Sequence, residues 1–201
     1  MQNFIKIPLI LAFVTLISSG LLMLSEHLTH DKIALQKKMR LLDSLKSLIP
    51  NALHDNDITL NKQTIFKPKL LGHRKEQPLY IGTKNGKLSV LAIPVTARNG
   101  YAGDIDLMIG ITINGEITSV KIIEQHETPG LGDLIVSNKS NWLTQFPKKS
   151  LLNPTSERWK VKKDGGDFDQ LTGATITPRA VVAAIKNALL YAEKYTKENN
   201  L

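Results

Sequence analysis

From Ile7 to Leu24 the chain runs for eighteen residues without a charged side chain, interrupted only by the small or weakly polar Thr15, Ser18, Ser19 and Gly20. A helix rises about 1.5 Å per residue, so such a run is long enough to cross a hydrocarbon core. That feature divides the chain into an N-terminal segment suited to lipid and a remainder that must fold in water. A cleaved signal peptide is the rival reading, because the run is N-terminal and follows Lys6. No Ala-x-Ala site follows it, which favours an uncleaved signal anchor over residues 1–25. Charge alone leaves the orientation open. Lys6 precedes the run, whereas Lys32, Lys37, Lys38 and Arg40 follow it, partly offset by Glu26 and Asp31. This opposes the simple positive-inside rule, although large domains translocate despite such charges.

Behind the anchor, Ile33, Leu35, Leu42, Leu45 and Leu48 recur among polar neighbours and predict a stalk helix within residues 26–50, ending before Pro50. The spacing does not hold a heptad, so a coiled coil is unsupported. Residues 51–201 suffice for one domain with a real core. The absence of cysteine excludes disulfides and thiolate metal sites. The net charge of +8 comes from scattered lysines, aromatics make up only 5%, and no nucleic-acid motif is present. The charge therefore reads as a solvated surface rather than a nucleic-acid interface.

The middle of the domain carries strand patterns. Leu79–Gly82 and Leu88–Ile93 flank the turn formers Lys84-Asn85-Gly86. Ile105, Leu107, Ile109, Ile111 and Ile113 alternate toward one face, and Asn114-Gly115 predicts a primed hairpin turn with positive φ at both residues. Ile117, Val120 and Ile122 form the return strand. A C-terminal helix is expected from Val181, Ile185, Ala188, Leu189 and Ala192, with Thr177 as its N-cap and Pro178 in its first position. The expected fold class is α+β: a transmembrane helix, then an antiparallel sheet with one buried face packed by helices.

Asp169-Gln170-Leu171-Thr172-Gly173-Ala174-Thr175 leads into that helix. By itself the run reads as a loop and a cap. Yet a helix N-terminus is a natural phosphate seat, and with Thr177 occupied as the cap, Thr175 is the hydroxyl left beside it. A second segment, His126-Glu127-Thr128-Pro129-Gly130-Leu131-Gly132-Asp133, has glycines that let backbone approach a ligand closely. His126 beside Glu127 has no second ligand cluster at metal-binding spacing. Trp142 and Phe146 read as core, and Asp164-Gly165-Gly166-Asp167 as a turn with solvent-facing carboxylates rather than calcium ligands.

The order of these segments carries a resemblance. Asp169–Thr175 resembles the Asp-x-x-(Ser/Thr)-Gly-Ala-Thr signature of FMN-binding domains modified by a flavin transferase. Glu127–Gly132 resembles the Glu-Thr-Pro-Gly-Leu-Gly element of the same domains, and Gly100–Ile105 the entry to their central hairpin. With the anchor, the chain resembles the G subunits of Rnf/Rsx-type ion-translocating electron transport complexes, a family related to the C subunits of sodium-translocating NADH:quinone reductases. The resemblance implies a flavoprotein subunit that relays electrons without being a self-contained catalyst. It implies FMN joined to Thr175 by a phosphoester, and cofactor contacts from Thr172, Gly173, Ala174, Thr177, Glu127, Thr128, Gly130 and Leu131. Arg179 and the amides around it would balance phosphate charge, and Asp169 would serve the modification motif. Partners would be the other subunits of the complex and, during maturation, the transferase. The location implied is a bacterial inner membrane, crossed once, with the C-terminal domain in the periplasm. The alternative is a membrane-anchored binding or scaffold protein that keeps the fold without covalent flavin.

Overall fold

The computed structural model describes residues 2–199, and the chain divides into two compact units, residues 1–43 and 44–201. Helix α1, Gln2–Leu48, supplies the first unit and extends its last turn into the second. Within it, Pro8–His30 contains an eighteen-residue window with a mean hydropathy of 2.1 that is nowhere buried, so it is long and apolar enough to cross a membrane. Its two threonine hydroxyls are satisfied by the helix itself: Thr15 donates to the Leu11 carbonyl at 2.9 Å and Thr29 to the Ser25 carbonyl at 2.7 Å. Lipid could supply neither acceptor.

The second unit is built on a five-stranded antiparallel sheet in sequential order. Its strands are β1 (Lys62–Ile65), β2 (Gln77–Lys84), β3 (Lys87–Ala97), β4 (Ile105–Thr112) and β5 (Ile117–Glu124). The alternation along β4 does what period-2 patterning dictates: Ile105, Leu107, Ile109 and Ile111 enter one core with Leu91, Ile93 and Val95 of β3. Helix α2, Ile176–Glu198, closes that core with Val181, Val182, Ile185, Ala188 and Leu189. An aromatic cluster extends it: Trp142 meets Phe146 edge-on at 5.2 Å, and Phe146 stacks on Phe168 at 5.0 Å.

Two local expectations give way. The sheet is not buried on one face alone, since β3 is buried continuously from Val90 to Ala97. The end of α1 needs cover for Leu45 and Leu48, and Gly110 of β4 makes room for it. A Cβ on Gly110 would lie 2.2 Å from the Leu48 carbonyl oxygen, which the Thr118 hydroxyl also reaches. The primed turn falls at Asn85-Gly86 (φ 52° and 72°), between β2 and β3, rather than at Asn114-Gly115. Between β4 and β5 only Gly115 has positive φ (79°), and its N–H donates to the Thr112 carbonyl. Four residues, 113–116, connect these strands. That loop is too long for a two-residue primed turn, so Asn114 keeps a negative φ and Ile113 leaves the strand.

Candidate functional site

Both loop segments converge on the N-terminus of α2. In the Asp169–Thr175 run, the Asp169 N–H donates to Gln145 Oε1 at 2.8 Å and its carbonyl accepts Trp142 Nε1–H at 2.7 Å. The Asp169 carboxylate faces outward and pairs with Lys162. A turn follows, closed by the Ala174 N–H on the Leu171 carbonyl, with Gly173 at φ 79°. A side chain there would be strained, which explains a glycine at this point. Thr172 stands exposed on the turn. Thr175 is half-buried, occupies the N-cap position and makes no side-chain capping hydrogen bond.

Thr177 does not cap the helix. It lies inside the first turn, fully buried, and its hydroxyl donates to Glu127 Oε2 at 2.5 Å. Glu127 is itself buried, and its other oxygen accepts the Ala102 N–H at 3.0 Å. One carboxylate therefore ties together the Gly100–Gly103 turn, the Glu127–Gly132 loop and the start of α2. Gly132 is part of this clasp, because a Cβ there would sit 2.5 Å from Glu127 Oε2 and 2.8 Å from Thr177 Oγ1. The rest of the loop folds back on Asp133, whose Oδ1 accepts the Gly130 N–H at 2.7 Å while Lys139 pairs with its other oxygen. The Lys139 ammonium, helped by the Gly130 amide and opposed by burial, holds the Asp133 carboxyl below its ordinary value. Gly130 takes φ 76° to make that turn.

These segments enclose a cleft of about 460 Å³. Of the residues singled out in the sequence, Glu127, Thr128, Leu131, Gly173, Ala174, Thr175 and Thr177 line it, whereas Thr172, Gly130 and Asp169 lie outside the lining. Arg179 is committed elsewhere, with Nε and an Nη each 2.5 Å from the Asp164 carboxylate. That pairing lowers the Asp164 pKa, and Asp167 is similarly engaged by Arg158, so these two carboxylates face solvent as expected but are paired there with arginines. His126 is exposed beside the cleft without lining it. Tyr101, Gly132 and Ile176 complete the wall. Tyr101 and Gly132 fall inside two of the segments marked in the sequence without being named as contacts, and the local signal of Ile176 was only an apolar residue at a helix entrance.

The donor set suits a flavin mononucleotide. One end of the cleft is the first turn of α2, where the Ile176 and Thr177 amides precede the first intrahelical acceptor and Pro178 carries none; such amides and the helix dipole favour phosphate. The Tyr101, Leu131, Ala174 and Ile176 side chains offer apolar surface for a planar ring, and the volume falls within the usual range for ligand pockets.

Residues 100–190 match the family described as FMN-binding domain, and that stretch contains all three loop segments and the first part of α2. Fold and site thus define a class: a domain of the FMN-binding type carried behind an apolar N-terminal helix. The G subunit of the ion-translocating oxidoreductase complex from Shewanella oneidensis is 43% identical over 194 residues, covering 96% of this chain and 92% of that protein. Its counterpart in Shewanella baltica is 46% identical over 187 residues, covering 93% and 88%. The chain belongs to this family, the G subunits of ion-translocating oxidoreductase complexes. Among solved structures, the C subunit of the Na(+)-translocating NADH-quinone reductase from Parabacteroides distasonis is 23% identical, with a TM-score of 0.40 over 58% of this chain and 63% of that one.

Proposed function

We propose that this chain is a membrane-anchored flavoprotein subunit of an ion-translocating oxidoreductase complex, with FMN joined to Thr175 through a phosphoester. FMN, when bound, supplies the electron-transfer chemistry, and the chain supplies attachment, position and electrostatics. The observation that carries the reading is Thr175 itself. Its hydroxyl makes no capping hydrogen bond, it opens α2, and it lines the cleft where the two glycine loops meet. Attachment requires an activated donor, a flavin dinucleotide delivered by a flavin transferase. The Thr175 oxygen forms one O–P bond as the phosphoanhydride breaks, its proton passes to solvent, and a nucleoside monophosphate leaves. The Ile176 and Thr177 amides balance the remaining phosphate charge. The outward carboxylate of Asp169, engaged among the described residues only by the exposed Lys162, offers the transferase a handle.

Residues 1–25 serve as the anchor, 26–50 as the stalk and 51–201 as the flavin domain, which stands in the periplasm of a bacterial inner membrane. Covalent attachment suits that side, where a lost flavin would not be replaced. The other subunits of the complex are the electron partners. The test is the full chain made with a flavin transferase: its denatured gel band fluoresces as flavin, and peptide mapping places the FMN mass on Thr175. Flavin retained in Thr175→Ala, or mapped to Thr177, refutes the assignment. A band without fluorescence under competent conditions favours a scaffold that keeps the fold without covalent flavin.

A further inference from the structure

Three large side chains at the cleft remain substantially exposed: Tyr101 at 69%, Ile176 at 46% and Leu131 at 41%. Among the described residues lining the cleft, Tyr101 is the only aromatic one. Exposed apolar surface of this kind is unfavourable in water unless something covers it. A loop tyrosine would ordinarily shift with its backbone, but here the backbone on both sides of it is fixed. Gly100 is packed so closely that a Cβ would lie 2.3 Å from the Gly103 carbonyl oxygen and 2.8 Å from Glu127 Oε1. On the other side, the Ala102 N–H donates to that same Glu127 oxygen at 3.0 Å. The second oxygen of Glu127 takes the hydroxyl of Thr177, two residues beyond Thr175. A single buried carboxylate therefore ties the backbone that carries an exposed aromatic side chain to the first turn of α2.

We propose that Tyr101 is the aromatic wall against which the flavin ring stacks, and that Glu127 is a positioning residue that holds it there. This inference rests on the FMN reading of the cleft. Glu127 contributes through both ends of its clasp, and the ring would bury the phenol face that the protein leaves in water.

The test uses the full chain, flavinylated by co-expression with a flavin transferase and purified in detergent. Peptide mass reports flavin on Thr175, and emission per bound flavin reports stacking. A phenol packed on the ring quenches the excited flavin by passing an electron to it and taking it back, with no net change in either group. The wild-type protein is expected to be dim and shielded from iodide. Tyr101→Leu becomes several-fold brighter and open to iodide, and Tyr101→Phe brightens but stays shielded. Glu127→Ala reproduces the brightening. Glu127→Gln restores the dim state, because an amide can still accept from Ala102 and donate to the Thr177 oxygen. If Tyr101→Leu takes up no flavin, the emission of Tyr101→Phe decides. Unchanged emission and iodide access in the Tyr101 variants, with the flavin mass present, overturns the stacking and leaves the covalent attachment standing. Absence of flavin mass from the wild-type chain as well overturns both.

Discussion

Replacing Thr177 by valine keeps the shape of a fully buried side chain and removes only its hydroxyl. The hydroxyl donates to Glu127, itself only 5% exposed, so water cannot replace the lost donor. Hydrogen bonds to charged groups contribute about 1.5–3 kcal/mol, and a methyl group placed against the carboxylate adds a small desolvation cost. A loss of about 2 kcal/mol is expected by this reasoning, or roughly 4–8 °C in Tm for a domain of this size. Urea unfolding of the full chain in detergent micelles, followed by tryptophan emission, measures it. The chain has two tryptophans, Trp142 and Trp159, and both are buried in the sheet domain, so the signal is blind to the anchor. A helix-capping threonine would also lose about 1 kcal/mol on such a change, so the single variant does not discriminate. A double-mutant cycle with Glu127→Ala does. If the two side chains act on each other, Thr177→Val costs little in the Glu127→Ala background, giving a coupling of at least about 1 kcal/mol. Additive losses would falsify the clasp, and Thr177→Ser should recover most of the stability because it keeps the donor.

Gly110→Ala forces a Cβ to within 2.2 Å of the Leu48 carbonyl oxygen, with backbone on both sides of the conflict, and should lower the Cm by an amount equivalent to about 2 kcal/mol or more in the same urea assay. Burial, reinforced by Tyr195 and Glu198, pushes the Tyr191 phenol up to about 12 from its ordinary 10.0. A raised folded-state pKa means that its contribution to stability is full below pH 10 and lost as pH climbs toward 12. Tyr191→Phe should therefore flatten the decline in Tm across that window, and an unchanged slope would rule out Tyr191 as its source. The Asp133 pKa is depressed by Lys139, so its contribution holds above the ordinary 3.8 and fades as pH falls below it; Asp133→Asn should weaken the acid dependence of the urea midpoint. Asp169→Ala should leave Tm nearly unchanged, since Asp169 holds its place through backbone hydrogen bonds, while the flavin fluorescence of the denatured band falls sharply.

What can be read from the residues alone follows the range of the forces involved. The β4 alternation and the α2 stripe are local periodicities that one burial term rewards, so Ile105 through Ile111 and Val181 through Leu189 fall where the pattern puts them. The turn at Asn114-Gly115 departs from its dipeptide signal because turn type depends on how many residues separate the paired strands, and Ile117↔Ile111 pairing leaves more than a dipeptide can span. The second buried face is visible in principle: Val90–Ala97 is a nearly continuous apolar run, the signature of a strand covered on both sides, but part of its cover is non-local, since His73 reaches the Pro94 carbonyl and Gly72 packs on the Thr96 backbone. Thr177 shows the limit most clearly. A threonine just before a proline satisfies the local rule for a cap, and nothing nearby in the chain argues otherwise. Its actual partner, Glu127, lies fifty residues earlier, and a hydroxyl drawn inward to donate to a buried carboxylate no longer stands where a cap accepts from the first helical amides. The same displacement bears on Thr175. Because Thr177 is drawn inward, α2 begins at Ile176, and the Thr175 hydroxyl is left at the cleft without a capping bond. The separation of roles between the two threonines is thus a consequence of Glu127, so disturbing Glu127 should alter both the folding of the loops and the presentation of Thr175.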